Sequence, residues 1–279
     1  MSYWVVVVTR NGAMHLATTL NSLIEQTTKP QQITVVDDGS TDETATILHQ
    51  YELLHHQLAS VRLPDRGYDI RRVPANINLA CRLNRRLGTG YFMISGDDCT
   101  YPSTYANALL TQMESTPHLV VASGRPIAGA IHSKEHSPSG SGRMIRCSFW
   151  DEAGGEYPVK AGWETWLLYK AAKMGLEAKL VDGLTFRHMR ERGAAHQFVY
   201  WGAAMSTLGY HPLYAIGRIG KNVTVPAVAF KGAINMFRGY LQAELGSSDP
   251  FITPFEKPFR EFVHTQQSER IVTVVSSLL

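Results

Sequence analysis

The chain has only three cysteines in 279 residues, Cys81, Cys99 and Cys147. Three is an odd number and the spacing matches no metal-binding motif, so neither a disulfide framework nor a cysteine-rich metal site is expected. They read as reduced thiols of a cytosolic protein. No single sign of charge dominates: 27 basic against 24 acidic side chains leave a formal net charge of +3. Nucleic acid is therefore not implied as a partner, although a local basic patch could still hold an anionic substrate. No G-x-G-x-x-G turn follows Val8, which argues against a nicotinamide-dependent oxidoreductase. No internal repeat is present. The apolar run ending at Val8 is too short for a signal-peptide core and lacks a basic flank, so it reads as a strand. One longer stretch, Phe198 to Gly217, carries no formally charged side chain, but glycines and His211-Pro212 interrupt it. A packed or interfacial helix pair is expected there in preference to a membrane span.

What is present is alternation. With 44% hydrophobic residues the chain can bury one large α/β core plus an appendage. Near-continuous valine from Tyr3 to Thr9 predicts a strand covered on both faces. Apolar residues at helical spacing predict a helix over 14–26, Ile33 to Asp37 a second strand, and 41–51 a second helix. A short strand at 61–63, a helix at 79–87 and a strand at 91–95 follow, then a helix at 101–113 and a strand at 119–122. This order implies a doubly wound, mostly parallel sheet. Residues 132–143 are polar and rich in Gly and Ser, and read as a loop. A helix spans the interval from Gly162 to Gly175, and a short strand is expected at 184–186.

The most informative stretch is I-T-V-V-D-D-G-S-T-D-E at 33–43. A buried strand ends in Asp37 and Asp38, Gly39 permits a sharp turn, and Ser40 with Glu43 has the spacing of a capping box. Open α/β sheets bind ligands at this carboxyl edge. Asp97 and Asp98 end a second apolar strand in the same manner. Two carboxylate pairs at one edge suit a nucleotide diphosphate carried on a hard divalent cation, Mg2+ or Mn2+.

With these motifs the chain resembles the inverting family 2 glycosyltransferases of the GT-A fold. The resemblance rests on V-V-V-T-R-N near the start, V-V-D-D-G-S-T-D, the strand ending S-G-D-D, and G-W-E-T-W-L-L-Y-K-A-A-K-M-G, and spans about residues 3–190. It implies that Thr9, Asp37 and Asp38 surround the base and ribose, where a carboxylate can accept an N–H of uracil or guanine. Arg10 and Asn11, beyond the first strand, would face the nucleotide, as would Asn78, Arg82, Ser95 and Gly96. The family's metal signature has two acids one residue apart. Here Ser95 stands where the first belongs and Asp97 where the second does, so Asp97 is the first candidate cation ligand and Asp98 the second. The resemblance makes His188 a further contact to the cation, with Arg187, Arg190 and Arg192 able to hold phosphate oxygens.

It also makes Glu164 the catalytic base, placed in the first turn of a helix whose dipole steadies its charge. Trp163 and Trp166 flank it, each either an acceptor platform for a sugar face or part of the core.

The implied activity is transfer of a sugar from a UDP- or GDP-linked donor to an acceptor hydroxyl or lipid phosphate. The alternative, for which Ser95 argues, is a catalytically degenerate sugar-nucleotide-binding or scaffold protein on the same fold. The domain reading is a catalytic domain at 1–193 with a nucleotide half to about 100, then a helical extension at 194–279. Aromatic and basic residues over 198–245 suit either a membrane interface or packing and a homodimer contact. The expected location is the cytoplasm, with peripheral membrane association as the variant that the first option entails.

Overall fold

The computed structural model describes residues 2–128, 131–132, 137–190, 195–223 and 229–276. Its strands are β1 (Tyr3–Thr9), β2 (Ile33–Asp37), β3 (Leu58–Arg62), β4 (Tyr91–Gly96), β5 (Cys99–Thr100), β6 (Leu119–Ala128), β7 (Ile131–His132), β8 (Arg143–Arg146) and β9 (Glu177–His188). Its helices are α1 (Leu16–Ile24), α2 (Thr44–Leu54), α3 (Val73–Asn84), α4 (Tyr105–Ser115), α5 (Cys147–Ala153), α6 (Trp163–Lys173), α7 (Ala195–Thr207), α8 (Pro212–Val223), α9 (Ala229–Glu244) and α10 (Lys257–Ser276). The chain divides into two compact units: Met1–Tyr157 with Lys170–Glu191, and Pro158–Tyr169 with Arg192–Leu279. Pro158–Tyr169 thus groups with the C-terminal helices, whereas the sequence reading counted it with the catalytic domain.

All the strands lie in the first unit, in one sheet ordered β3-β2-β1-β4-β8-β6-β9-β5, with β7 on β6. The first four strands run parallel, and β8 is antiparallel to both β4 and β6. Register fixes the edge that matters. Thr9 pairs with Asp37, Val7 with Ser95 and Val8 with Gly96, so three strands end side by side. Tyr3, Val5, Val7, Ile33 and Val35 of the central strands are buried in a core with Leu16, Leu20 and Leu23 of α1. Each such side chain contributes about 1.5–3 kcal/mol by leaving water.

Several elements differ from expectation for identifiable reasons. The expected capping box does not form. Helix α2 starts at Thr44 after Glu43, and the Asp42 carboxylate accepts the Thr44 amide, while Ser40 is engaged by Asp37. Helix α3 starts at Val73, well before position 79, because Pro74 in its first turn gives up only an amide that would have no partner there. Its apolar period is hidden by buried Asn76 and Asn78. Strand β9 is twelve residues long. It shows no apolar run because most of its side chains are partly exposed.

The second unit is helical. Phe198 to Gly217 falls on two helices, α7 and α8, with Pro212 opening the second. Helices α7 and α9 approach closely: a Cβ at Gly202 would overlap the Met236 carbonyl, and one at Gly239 the Val199 carbonyl. Among the described residues no helix is long and apolar enough to cross a membrane.

Candidate active site

Strand β1 ends at Thr9, and the chain turns through Asn11, whose φ of 51° is left-handed. Asn11 is fastened to the loop after β2. Its amide donates to Ser40 Oγ at 2.9 Å and its Oδ1 accepts the Thr41 amide at 2.8 Å. Arg10 donates to the carbonyls of Asp38 and Gly39 and pairs with Asp65 at 2.6 Å. These two residues therefore hold the β2 loop in shape.

At that loop Asp37 is fully buried. Its Oδ1 accepts the amide and hydroxyl of Ser40, and its Oδ2 accepts no hydrogen bond, with Arg62 Nε at 3.7 Å. Asp38 is gripped by Arg72, with Nε 3.0 Å from both oxygens and Nη2 2.7 Å from Oδ2. The hydrogen bond to Asp38 raises the Arg72 pKa. Asp69, next to it in space, is held below the usual carboxylate range chiefly by its bond to Arg71.

Beyond β4 the two acids part company. Asp97 turns inward, where Thr9 Oγ1 donates to its Oδ2 at 2.7 Å. Arg190 approaches with Nη1 3.0 Å from Oδ1 and Nη2 3.2 Å from Oδ2. Burial raises the Asp97 pKa, against the pull of Arg190 and Thr9. Gly12 closes the floor of this cluster: a Cβ there would overlap Thr9 Oγ1 and lie 2.7 Å from Asp97 Oδ2.

Asp98 faces His188, its Oδ1 3.6 Å from Nδ1, with Cys99 Sγ 3.6 Å from the carboxylate and 3.3 Å from the imidazole. The pairing of β5 with β9, Cys99 opposite His188, creates this contact. Burial opposes the Asp98 charge, but His188 and Arg190 outweigh it and hold the carboxyl below its ordinary range. Burial pushes the Cys99 thiol well up. Ligand atoms of Asp98, Cys99 and His188 lie within 4.8 Å of one another, and among the described residues this is the one such group.

The structure thus brings together Thr9, Asp37, Asp38, Gly96, Asp97, Asp98 and His188 at one sheet edge. It uses other expected residues differently. Ser95 Oγ donates to the Gly96 carbonyl at 2.8 Å and lies 2.9 Å from Tyr101 OH, in an aromatic setting where a carboxylate would be desolvated. Asn78 exchanges two 2.8 Å hydrogen bonds with the backbone of Tyr157, and Arg82 pairs with Glu156. Both fasten the chain at 156–157. In the second unit, Glu164 is exposed in the first turn of α6. Trp163 packs on the cluster of Ala161, Ala203 and Phe251, and Trp166 on that of Phe198 and Met205. Arg187 pairs with Thr100 across β9 and β5. Arg192 lies outside the described residues. The sequence reading missed Arg72 and Cys99. Nothing local in the sequence marks either one: Arg72 lies 34 residues from Asp38, and Cys99 meets His188 only through the pairing of β5 with β9.

The profile of glycosyl transferase family 2 matches residues 4–158. No curated protein sequence matches the chain. Among solved structures, the chain is similar to TarS of S. aureus, at 16% identity and a TM-score of 0.56, over 81% of this chain but 44% of that one. TarS 1–349 of S. aureus in complex with UDP matches at 15% identity and a TM-score of 0.56, over 81% of this chain and 73% of the other. A mannosyltransferase of Pyrobaculum calidifontis in complex with GDP-Man and Mn2+ matches at 18% identity and a TM-score of 0.58, over 99% of this chain and 86% of the other. The likeness extends the fold through residues the family profile does not reach. The profile match covers more than half of the sequence, along the strands that build the acidic edge: the chain belongs to glycosyl transferase family 2.

Proposed function

We propose that the protein is an inverting glycosyltransferase that uses a UDP- or GDP-linked sugar donor. The observation that carries this reading is the acidic edge, where Asp37, Asp97, Asp98 and His188 converge through the register of β1, β2, β4, β5 and β9. The Oδ2 of Asp37, which accepts no hydrogen bond, is suited to accept an N–H of the base. Similar structures contain UDP in one case and GDP-Man with Mn2+ in another.

The residues present fit a divalent cation. Asp98 supplies an oxygen and His188 a nitrogen, ordinary ligands for Mn2+ and, for the oxygen, Mg2+, whereas the buried thiol of Cys99 is a softer neighbour. When bound, such an ion would offset charge on the departing diphosphate. Asp97 is the adjacent carboxylate, and Arg190 adds a positive charge suited to phosphate oxygens.

In the transfer itself the acceptor oxygen bonds to the anomeric carbon while that carbon's bond to the diphosphate oxygen breaks. The diphosphate leaves with the electron pair, and Glu164 takes the acceptor proton. Attack from the face opposite the leaving group inverts the centre. The acceptor is a hydroxyl or a lipid phosphate, with Trp163 or Trp166 as its platform. The catalytic residues lie within 1–193, and 194–279 forms a helical extension. Three free cysteines support a reducing, cytoplasmic setting.

Incubation with UDP- and GDP-sugars, with and without Mn2+, tests the reading through release of free nucleotide. Release that needs both a donor and Glu164 supports it. The second reading, a binding protein without turnover, is favoured by Ser95, bonded to Tyr101 in place of an acid. Donor binding by calorimetry with no nucleotide release would establish that one.

A further inference from the structure

Helix α9 is apolar on two opposite faces. Ala233, Met236, Tyr240 and Ala243 are buried in the second unit. On the other side Phe230, Ile234, Phe237 and Leu241, at steps of four, three and four, are 69%, 51%, 46% and 40% exposed, and Leu245 just past the helix is 85% exposed. Those steps return to one side of a helix with 3.6 residues per turn, so the exposed rings and branched chains form one stripe. Isolated exposed apolar residues are normal on a protein surface, whereas a continuous row of this size marks a contact surface. Helix α8, which packs on α9, exposes Leu213 and Ile216, and Trp201 of α7 is 44% exposed.

Charge identifies the occupant. Lys231 and Arg238 fall on one flank of the stripe, seven residues apart, and α8 carries Arg218 and Lys221, both exposed. From 195 to 243 the sequence contains no aspartate or glutamate, and the first acid is Glu244, at the end of α9. A second copy of this chain would bring basic flank against basic flank with almost no acid to pair, which disfavours self-association. An anionic bilayer meets both features at once: it buries the stripe at the boundary of headgroups and acyl chains and attracts the flanking cations.

We infer that the exposed face of α9, with its flanking Lys231 and Arg238, is a docking surface for an anionic lipid membrane. Each basic side chain near such a surface adds to the attraction, and tryptophan at interface depth is a common anchor. The inference concerns the C-terminal unit alone and stands whether or not sugar transfer is the activity.

The test is flotation of the full chain with vesicles of phosphatidylcholine containing phosphatidylglycerol, and with phosphatidylcholine alone. The protein should rise with the anionic vesicles, and high salt should reduce the floated fraction. Phe230→Ser/Phe237→Ser and Lys231→Glu/Arg238→Glu should each weaken binding by roughly tenfold or more. All four side chains are exposed, and unchanged circular dichroism and melting temperature verify that the variants fold. The inference is overturned if wild-type protein stays at the bottom of both gradients. It is equally overturned if both folded variants float as wild type does. Light scattering that gives a dimer dispersed by Phe230→Ser/Phe237→Ser, with no flotation, would assign the face to self-association instead.

Discussion

Arg190 and Asp97 face each other through two contacts of 3.0 and 3.2 Å, on the acid that the family pattern aligns with cation coordination. A guanidinium and the Thr9 hydroxyl thereby compensate the buried carboxylate. Removing Arg190 leaves an acid that is only 6% exposed facing Thr9 and the charge of Asp98. Arg190→Met should lower stability by about 1–3 kcal/mol in metal-free buffer. Mn2+ should raise the melting temperature of the variant more than that of the wild type. Equal shifts in a thermal scan would show that cation and guanidinium do not substitute for each other.

Gly12→Ala should lose both stability and nucleotide affinity. The added methyl overlaps Thr9 Oγ1 and approaches Asp97 Oδ2, so the cluster must open at a cost of about 1–3 kcal/mol. Urea unfolding gives the first quantity and calorimetry with UDP or GDP the second. A variant as stable as wild type would mean that the β1 turn is looser than its geometry.

Asn78→Ala separates two roles for one side chain. Its amide satisfies both the N–H and the C=O of Tyr157, so truncation should cost about 1–3 kcal/mol. Donor affinity, measured well below the melting temperature, should be unchanged. A selective loss of nucleotide binding with full stability would restore the role that the family resemblance implies.

Asp69 should impart a pH dependence on the acid side. Its folded pKa is lowered, first by the bond to Arg71, so it stabilises the fold above the unfolded value of about 3.9. That contribution disappears as pH falls through the folded pKa. Asp69→Asn should therefore cost about 0.2–1 kcal/mol at neutral pH, the range for partly exposed pairs. The difference from wild type should vanish in strong acid. Parallel unfolding curves at neutral and acid pH measure it, and a difference independent of pH would point to lost packing instead.

Glu164→Gln should preserve folding and donor binding while lowering turnover by roughly two to four orders of magnitude. Nucleotide release in the presence of acceptor measures this. Turnover within a few-fold of wild type removes Glu164 as the base.

The central strands were legible because continuous valine and isoleucine runs ending in acids have few other readings. The register that sets Thr9 beside Asp37 and Val8 beside Gly96 follows from parallel pairing of those runs. Less legible was what each acid touches. Asp38 meets Arg72 and Asp97 meets Arg190, partners 34 and 93 residues away that no local pattern announces. Asn78 and Arg82 showed the polar helix face suited to a ligand, but bonds to Tyr157 and Glu156 claim them. The part of β9 before the expected 184–186 and the start of α3 escaped notice because their buried or half-buried polar residues break the apolar period. Cys99 could not have been singled out, since its place beside Asp98 and His188 depends on the two-residue strand β5.

The contact of α7 with α9 at Gly202 and Gly239 bears on how the apolar stripe would meet a surface. Many interfacial helices are unstructured in water and lose conformational entropy as they fold on the lipid. Here α9 is held through its opposite face by backbone apposition, so its helical shape is present beforehand. Adsorption would be a rigid-body event, with little change in helix content and no ordering of α9 to oppose it.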